Sequence, residues 1–188
     1  MEDIAPEIRH WESALVFFVL GSNPPHQVMK GFYRRIWGKW GWIRLDSKQN
    51  GDQALHEHFF FDKKPVVMKP WTLEVDLTKE EVRFVPVWIH FPKFDLKYWG
   101  ERTFFKLVSM VGKPVKLDQA TFNKERLMYA RVLVEIKLGK SVLSSITFVS
   151  ETGCEKEQQV EAEWLPWFYE TCKGYGHLEA VYRKKETG

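Results

Sequence analysis

Cysteine is nearly absent: among 188 residues only Cys154 and Cys172 carry a thiol. Two thiols cannot build the disulfide framework on which small secreted domains rest, so a reducing compartment is expected. Long apolar runs are missing as well. The longest, Ala14 to Leu20, falls far short of the ~20 residues that a membrane-spanning helix needs. Met1-Glu2-Asp3-Ile4 lacks the basic and apolar regions of a signal peptide. The expectation is an intracellular protein, nuclear or cytoplasmic, with no membrane partner. Catalytic signatures are missing too. There is no Walker loop, no G-x-G-x-x-G and no G-x-S-x-G. His56-Glu57-His58 lacks the H-E-x-x-H spacing of a helical zinc site. Neither an enzyme nor a small-molecule substrate is expected.

What is present is aromatic and unevenly charged. Nine Trp and fourteen Phe accompany a net charge of only +3. Asn23 to Trp40 contains Lys30, Arg34, Arg35 and Lys39 and no acid, whereas Ser150 to Leu165 holds five Glu against one Lys. Outside that acidic window the chain carries +7. Such asymmetry suits a polyanionic partner, and a solvated basic face is the competing explanation.

Periodicity divides the chain into two β/α halves. Ala14 to Leu20 reads as a buried strand ended by Gly21-Ser22-Asn23-Pro24-Pro25. A helix to about Trp37 follows, with Val28, Phe32 and Ile36 as its apolar stripe, Met29 and Trp37 beside them, and Lys30, Arg34 and Arg35 largely off it. Trp40 to Leu45 is a short strand candidate, and Asp46 to Asp52 is a polar gap. A second helix is expected from near Asp52 and a strand at Val66-Val67-Met68.

Val85 to Phe91 alternates, with Val87, Ile89 and Phe91 on one side and Trp88 and His90 on the other. A helix from about Leu96 to Val111 would stop at Gly112. Pro114 to Leu117 and Met128 to Leu138 read as strands, the latter carrying Arg131 and Lys137. Ile146 to Val149 and Val160 to Trp164 are expected to be the arms of a hairpin around Glu151-Thr152-Gly153.

The most informative segment runs from Trp164 to Lys185. A zinc knuckle places three thiolates and one imidazole at C-x2-C-x4-H-x4-C, closing a tetrahedral shell. Here the frame falls on Tyr169, Cys172, His177 and Tyr182, with Gly174 and Gly176 in the loop. Two of the four ligand positions therefore hold a phenol, which does not replace a thiolate.

These residues, together with Pro86 to Pro92, Tyr98-Trp99, Val111 to Asp118, Thr121 to Arg126 and Tyr129 to Ile136, carry a resemblance. From about Ser13 onward the chain resembles plant proteins related to the nucleic-acid-binding reading frame of LINE-type retrotransposons. Their main domain is known as domain of unknown function 4283 and is commonly followed by a CCHC zinc knuckle. The resemblance implies an α+β fold without catalysis. It comprises an RRM-like or ferredoxin-like β-α-β sheet module over residues 12–70, lacking one strand at the polar gap, and a linker over 71–84. A second small β-α-β-β subdomain with a hairpin would occupy 85–165, and a vestigial zinc knuckle 166–185.

The family's knuckle would bind one zinc ion. With only Cys172 and His177 matching its ligands, no cofactor is expected here. Each Cys-to-Tyr replacement needs a single G-to-A transition, so a decaying element copy, a deliberate zinc-abolishing variant and an apo-folded tail remain open.

The implied partner is single-stranded RNA or DNA, bound with little sequence preference; the alternatives are gag-like self-association or a protein partner, and a decayed copy with no retained activity. Candidate nucleic-acid contacts are Lys30, Arg34, Arg35, Trp88, His90, Arg131, Lys173, Tyr175, Arg183, Lys184 and Lys185. The competing readings are that Trp88 fills core and that the basic helix is simply solvated.

Overall fold

The computed structural model describes residues 4–12, 14–37, 55, 57–73, 82–139, 141–166, 168–169 and 174–175. The chain divides into two compact units, Met1–Glu81 with Pro166–Gly188, and Val82–Leu165. Both are α+β with antiparallel sheets.

In the first unit, α1 (Ala5–Trp11) precedes β1 (Leu15–Val19), α2 (His26–Trp37), β2 (Phe59–Phe61) and β3 (Lys64–Pro70). The sheet order is β1-β3-β2, with β3 antiparallel to both neighbours. A Phe-rich cluster joins helix to sheet: Val19, Met29 and Val66 are buried, with Phe17, Phe32, Tyr33, Phe59 and Phe61 packed around them. The stripe of α2 therefore runs through Met29, Phe32 and Tyr33. Val28, assigned to it from the sequence, is 49% exposed. Phe32 keeps its expected place, and so does Met29, which the sequence set beside the stripe; Val28 drops out and Tyr33 joins, meeting Phe17 at 3.9 Å between ring centres.

Phe59–Phe61 is a strand where the sequence left none between Leu45 and Val66. It turns into β3 through Asp62 and Lys63, both at positive φ (48° and 65°). That is the geometry a two-residue hairpin requires, without the Asn-Gly or Asp-Gly pair that usually announces it. The strand candidate Trp40–Leu45, the gap Asp46–Asp52 and most of the second helix lie outside the described residues.

The second unit runs β4 (Phe84–Pro92), a 3-10 turn (Leu96–Tyr98), α3 (Glu101–Val108), β5 (Lys113–Leu117), a one-turn helix α4 (Gln119–Phe122), β6 (Tyr129–Lys137), β7 (Ser145–Val149), β8 (Glu155–Gln159) and β9 (Glu161–Ala162). Its main sheet has the order β5-β6-β4-β9, all neighbours antiparallel. This arrangement is compatible with a ferredoxin-like module. β4 and β6 pair over nine residues, from Phe84↔Lys137 to Pro92↔Tyr129.

The inner face of that pair carries Val85, Val87, Ile89, Phe91, Ala130, Val132, Val134 and Ile136, all buried. Phe104 of α3 meets Phe91 edge-to-face at 5.4 Å. Each Val, Ile and Phe side chain of this row contributes about 1.5–3 kcal/mol on burial, so this face is a main source of the unit's stability. Pro86 is tolerated inside β4 because alternate residues direct their backbone groups to opposite neighbours. The Trp88 carbonyl accepts from Glu163 on the β9 side. Pro86, two residues away, faces that edge too, and its missing N–H leaves the β4–β6 ladder whole.

Three local expectations need correction. The helix expected over Leu96–Val111 is split: a 3-10 turn, then Gly100 as N-cap, then α3 ending at Val108. The hairpin pairs Ser145–Val149 with Glu155–Gln159, not with Val160–Trp164; Glu161 and Ala162 instead pair with His90 and Ile89. The second arm was illegible because Glu155-Lys156-Glu157-Gln158-Gln159 is wholly polar. Its alternation exists only in burial.

Gly112, finally, is not a left-handed helix stop. Its backbone passes so close to β6 that a Cβ would stand 2.7 Å from the Glu135 carbonyl oxygen. Gly112→Ala should therefore destabilise the second unit by about 1–3 kcal/mol. Gly31→Ala, in open space on α2, should be neutral or gain up to about 1 kcal/mol. Urea unfolding of the two variants checks both signs.

Candidate nucleic-acid interface

Alternation in β4 and β6 sends a second set of side chains to the sheet face opposite α3. Cross-strand partners share a face, so the register groups Trp88 with Leu133, His90 with Arg131, Pro86 with Glu135 and Phe84 with Lys137. Lys116 of β5 stands opposite Leu133 on the same face and is exposed, as is Lys137. Trp88, His90, Tyr129 and Arg131 are half-buried. The structure thus brings three sequence-derived candidates, Trp88, His90 and Arg131, into one cluster.

Arg131 is its centre. Its guanidinium carbon lies 3.9 Å from the centre of a Trp88 ring, a cation–π distance. Nε donates to Glu163 Oε1 at 2.5 Å and Nη2 to Glu163 Oε2 at 3.1 Å, a two-point pair. Nη1 donates to Asp118 Oδ1 at 3.3 Å. His90 Nε2 sits 2.7 Å from Glu163 Oε1. The His90 ring lies 4.4 Å from Tyr129, and Arg126 covers Tyr129 at 4.2 Å while binding Asp118 Oδ2 at 2.5 Å. Asp118 also caps α4, accepting from the Thr121 N–H at 3.3 Å. Thr121 Oγ1 in turn accepts the Arg131 backbone N–H at 2.9 Å.

Burial raises the Asp118 carboxyl, but Arg126 and Arg131 outweigh it and hold the group below its ordinary value. Burial likewise raises Glu163, and the bonds from Arg131 and His90 bring it down. Both carboxylates are therefore charged at neutral pH. Against the two guanidinium groups they leave the cluster formally neutral when His90 is neutral.

Glu163 was missed in the sequence. It lies in the acidic window, 32 residues from Arg131. Only the return of β9 to the edge of β4 brings it there. A capping pattern, Asp118-x-x-Thr121, was the one local signal near the cluster.

Lys30, Arg34 and Arg35 are exposed on α2 of the first unit. At the C-terminal segment the backbone forms a small antiparallel pair, β10 (Phe168–Tyr169) with β11 (Gly174–Tyr175). Cys172, Lys173, His177, Tyr182, Arg183, Lys184 and Lys185 lie outside the described residues. Among the described residues, no three His, Cys, Asp or Glu side chains gather as a metal site would need. A hollow of about 210 Å³ near Trp99, Phe104, Leu117 and Phe122 is smaller than the usual ligand pocket of roughly 300–1,000 Å³.

Because Glu163 and Asp118 are held low, their contribution is fully present above the ordinary carboxylate range. It is lost as pH falls through their lowered values. Glu163→Gln should cost about 1.5–3 kcal/mol at pH 7, and the gap from the unsubstituted protein should close on acidification. Denaturation at a series of pH values reads this directly; a gap that persists unchanged into acid would contradict the pairing. No family model, curated protein or solved structure matches the chain.

Proposed function

We propose that this chain is a non-enzymatic module that binds single-stranded RNA or DNA with little sequence preference, as its resemblance to the LINE-derived plant family implies. The observation that carries the reading is the half-buried Trp88–His90–Tyr129–Arg131 cluster on the face of the two central strands opposite α3. The RRM-like reading, expected over residues 12–70, finds its support in the second unit instead, whose β-α-β-β-x-β chain with strand order β5-β6-β4-β9 is compatible with a ferredoxin-like module, the β7–β8 hairpin standing where a second helix would. RRM-like sheets stack bases on aromatic residues of that face. Stacking tolerates any base, because every base has a π-face.

Phosphates would meet the exposed cations Lys116 and Lys137 on the sheet of the second unit and, separately, Lys30, Arg34 and Arg35 on α2 of the first. The tail would be a vestigial knuckle, in which Cys172 and His177 alone cannot close a zinc site and Tyr169 and Tyr182 occupy the other positions. Phe122, Leu127 and Met128, 60%, 51% and 80% exposed around one loop, favour a second reading, an apolar contact with another protein chain.

Titration of a labelled single-stranded oligonucleotide at two salt concentrations separates the two. Phosphate-dependent binding should fall log-linearly with salt, and Trp88→Ala should cost about 1–3 kcal/mol of affinity. An absence of binding at low salt would refute the nucleic-acid reading, whereas salt-resistant self-association would favour the second. Joint replacement of Lys30, Arg34 and Arg35 should weaken binding for all sequences alike. Zinc titration of the full chain should yield no tight 1:1 complex; micromolar or tighter binding would refute the vestigial knuckle.

A further inference from the structure

The cation best placed to meet a phosphate on this face is already occupied. A guanidinium fork fits a carboxylate and a phosphate by the same two-point geometry, and Glu163 fills the Nε/Nη2 side of Arg131. The same carboxylate takes His90 Nε2 as well. Because Arg131 lies on the Trp88 ring, one carboxylate fixes both the phosphate donor and the cation on the stacking surface. The side chain of Glu163 is only 12% exposed, so the pair is well shielded from salt.

The strand that delivers Glu163 is short. Glu163 follows β9, which pairs with β4 through Glu161 and Ala162 only, and its own N–H donates to the Trp88 carbonyl at 2.9 Å. The two central strands pair over nine residues. Of the sheet's strands, β9 has the shortest pairing, and local opening draws on such elements first. In the cluster itself, Arg126 Nε is buried with no acceptor among the described residues, so the two carboxylates do not exhaust the donors.

We propose that Glu163 is a built-in competitor for the nucleic-acid backbone: its carboxylate fills the Arg131 fork in the free protein, and a phosphodiester replaces it when a single strand lies on the Trp88–Tyr129 face. This inference rests on the binding reading above and adds its regulation. Displacement lowers the observed affinity by the strength of the internal contact, as any unfavourable pre-equilibrium does. Removing the charge of Glu163 while keeping its shape should release that restraint. Glu161 is the internal control: it is an exposed acid on the same face, opposite His90, and has no contact with Arg131 in the ion-pair network.

The test compares the unsubstituted protein, Glu163→Gln and Glu161→Gln against one single-stranded oligonucleotide across a salt series. Glu163→Gln should bind about tenfold more tightly at low salt with much the same log–log salt slope, because Arg131 meets the same phosphate in both complexes. Glu161→Gln should change affinity by less than about threefold, the effect of one unpaired surface charge. If the unsubstituted protein binds but Glu163→Gln binds no better than Glu161→Gln, the competitor role is overturned and the binding reading stands. If none of the three binds at low salt, the binding reading falls and takes this inference with it. Should Glu163→Gln fail to fold, the Arg131 Nε–H resonance of the unsubstituted protein decides. It should shift when oligonucleotide is added, and an unmoved resonance at saturation would overturn the exchange.

Discussion

The nine-residue register between β4 and β6 is the constraint on which the second unit depends. Successive side chains alternate between faces, so a slip by one residue would carry Val85, Val87, Ile89 and Phe91 out of the core. It would also carry Trp88 and His90 into it. The inner row is buried throughout and supplies the energy that fixes the pairing. On the outer row Leu133 is also fully buried, beside Trp88, and the half-buried polar and aromatic members inherit their placement from this packing. A polar, aromatic, charge-balanced cluster can persist on the outer face because the hydrophobic face opposite holds the frame rigid.

Closure of the cluster then requires elements from either side of the ladder. Asp118 and Thr121 come from the turn after β5, and Thr121 Oγ1 reaches the Arg131 backbone. Glu163 comes from beyond β9 on the other edge, anchored on the Trp88 carbonyl. The hairpin β7–β8 spans the distance between β6 and β9. It is itself docked by Gln158 on the Pro92 carbonyl at 2.9 Å, and by Tyr98, which donates to Glu151 at 2.8 Å. Arg131 is thus paired with two carboxylates whose sequence positions lie 13 and 32 residues away. A single electrostatic node ties both edges of the sheet to its centre.

The sequence made the long elements legible and the closures not. Val85–Phe91 and Tyr129–Lys137 alternate so strictly that their two faces, and the grouping of Trp88 with His90, could be read directly. Phe59–Phe61 carries three identical aromatics and no alternation, so its strand character depends on the turn at Asp62-Lys63. β8 is polar throughout and becomes a strand only by pairing with β7. Gly112 looked like a helix terminator, and the reason for it is a β6 carbonyl that sequence alone cannot bring near. Glu163 followed the same rule. A surplus of acid was visible, but which acid would meet Arg131 depended on where β9 returned. Trp88, His90 and Arg131 could be found from local pattern, whereas Tyr129 and the carboxylates that pair with Arg131 join them only through topology.

The central claim is that a single strand lies on the outer face of β4 and β6, and resonance mapping of the full chain with a saturating oligonucleotide tests it most directly. The account predicts shifts at the Trp88 indole, the Tyr129 ring and the Arg131 side chain, while the methyl groups of Val87 and Val132 on the inner face stay in place. Saturation without any shift at Trp88, Tyr129 or Arg131 would contradict it.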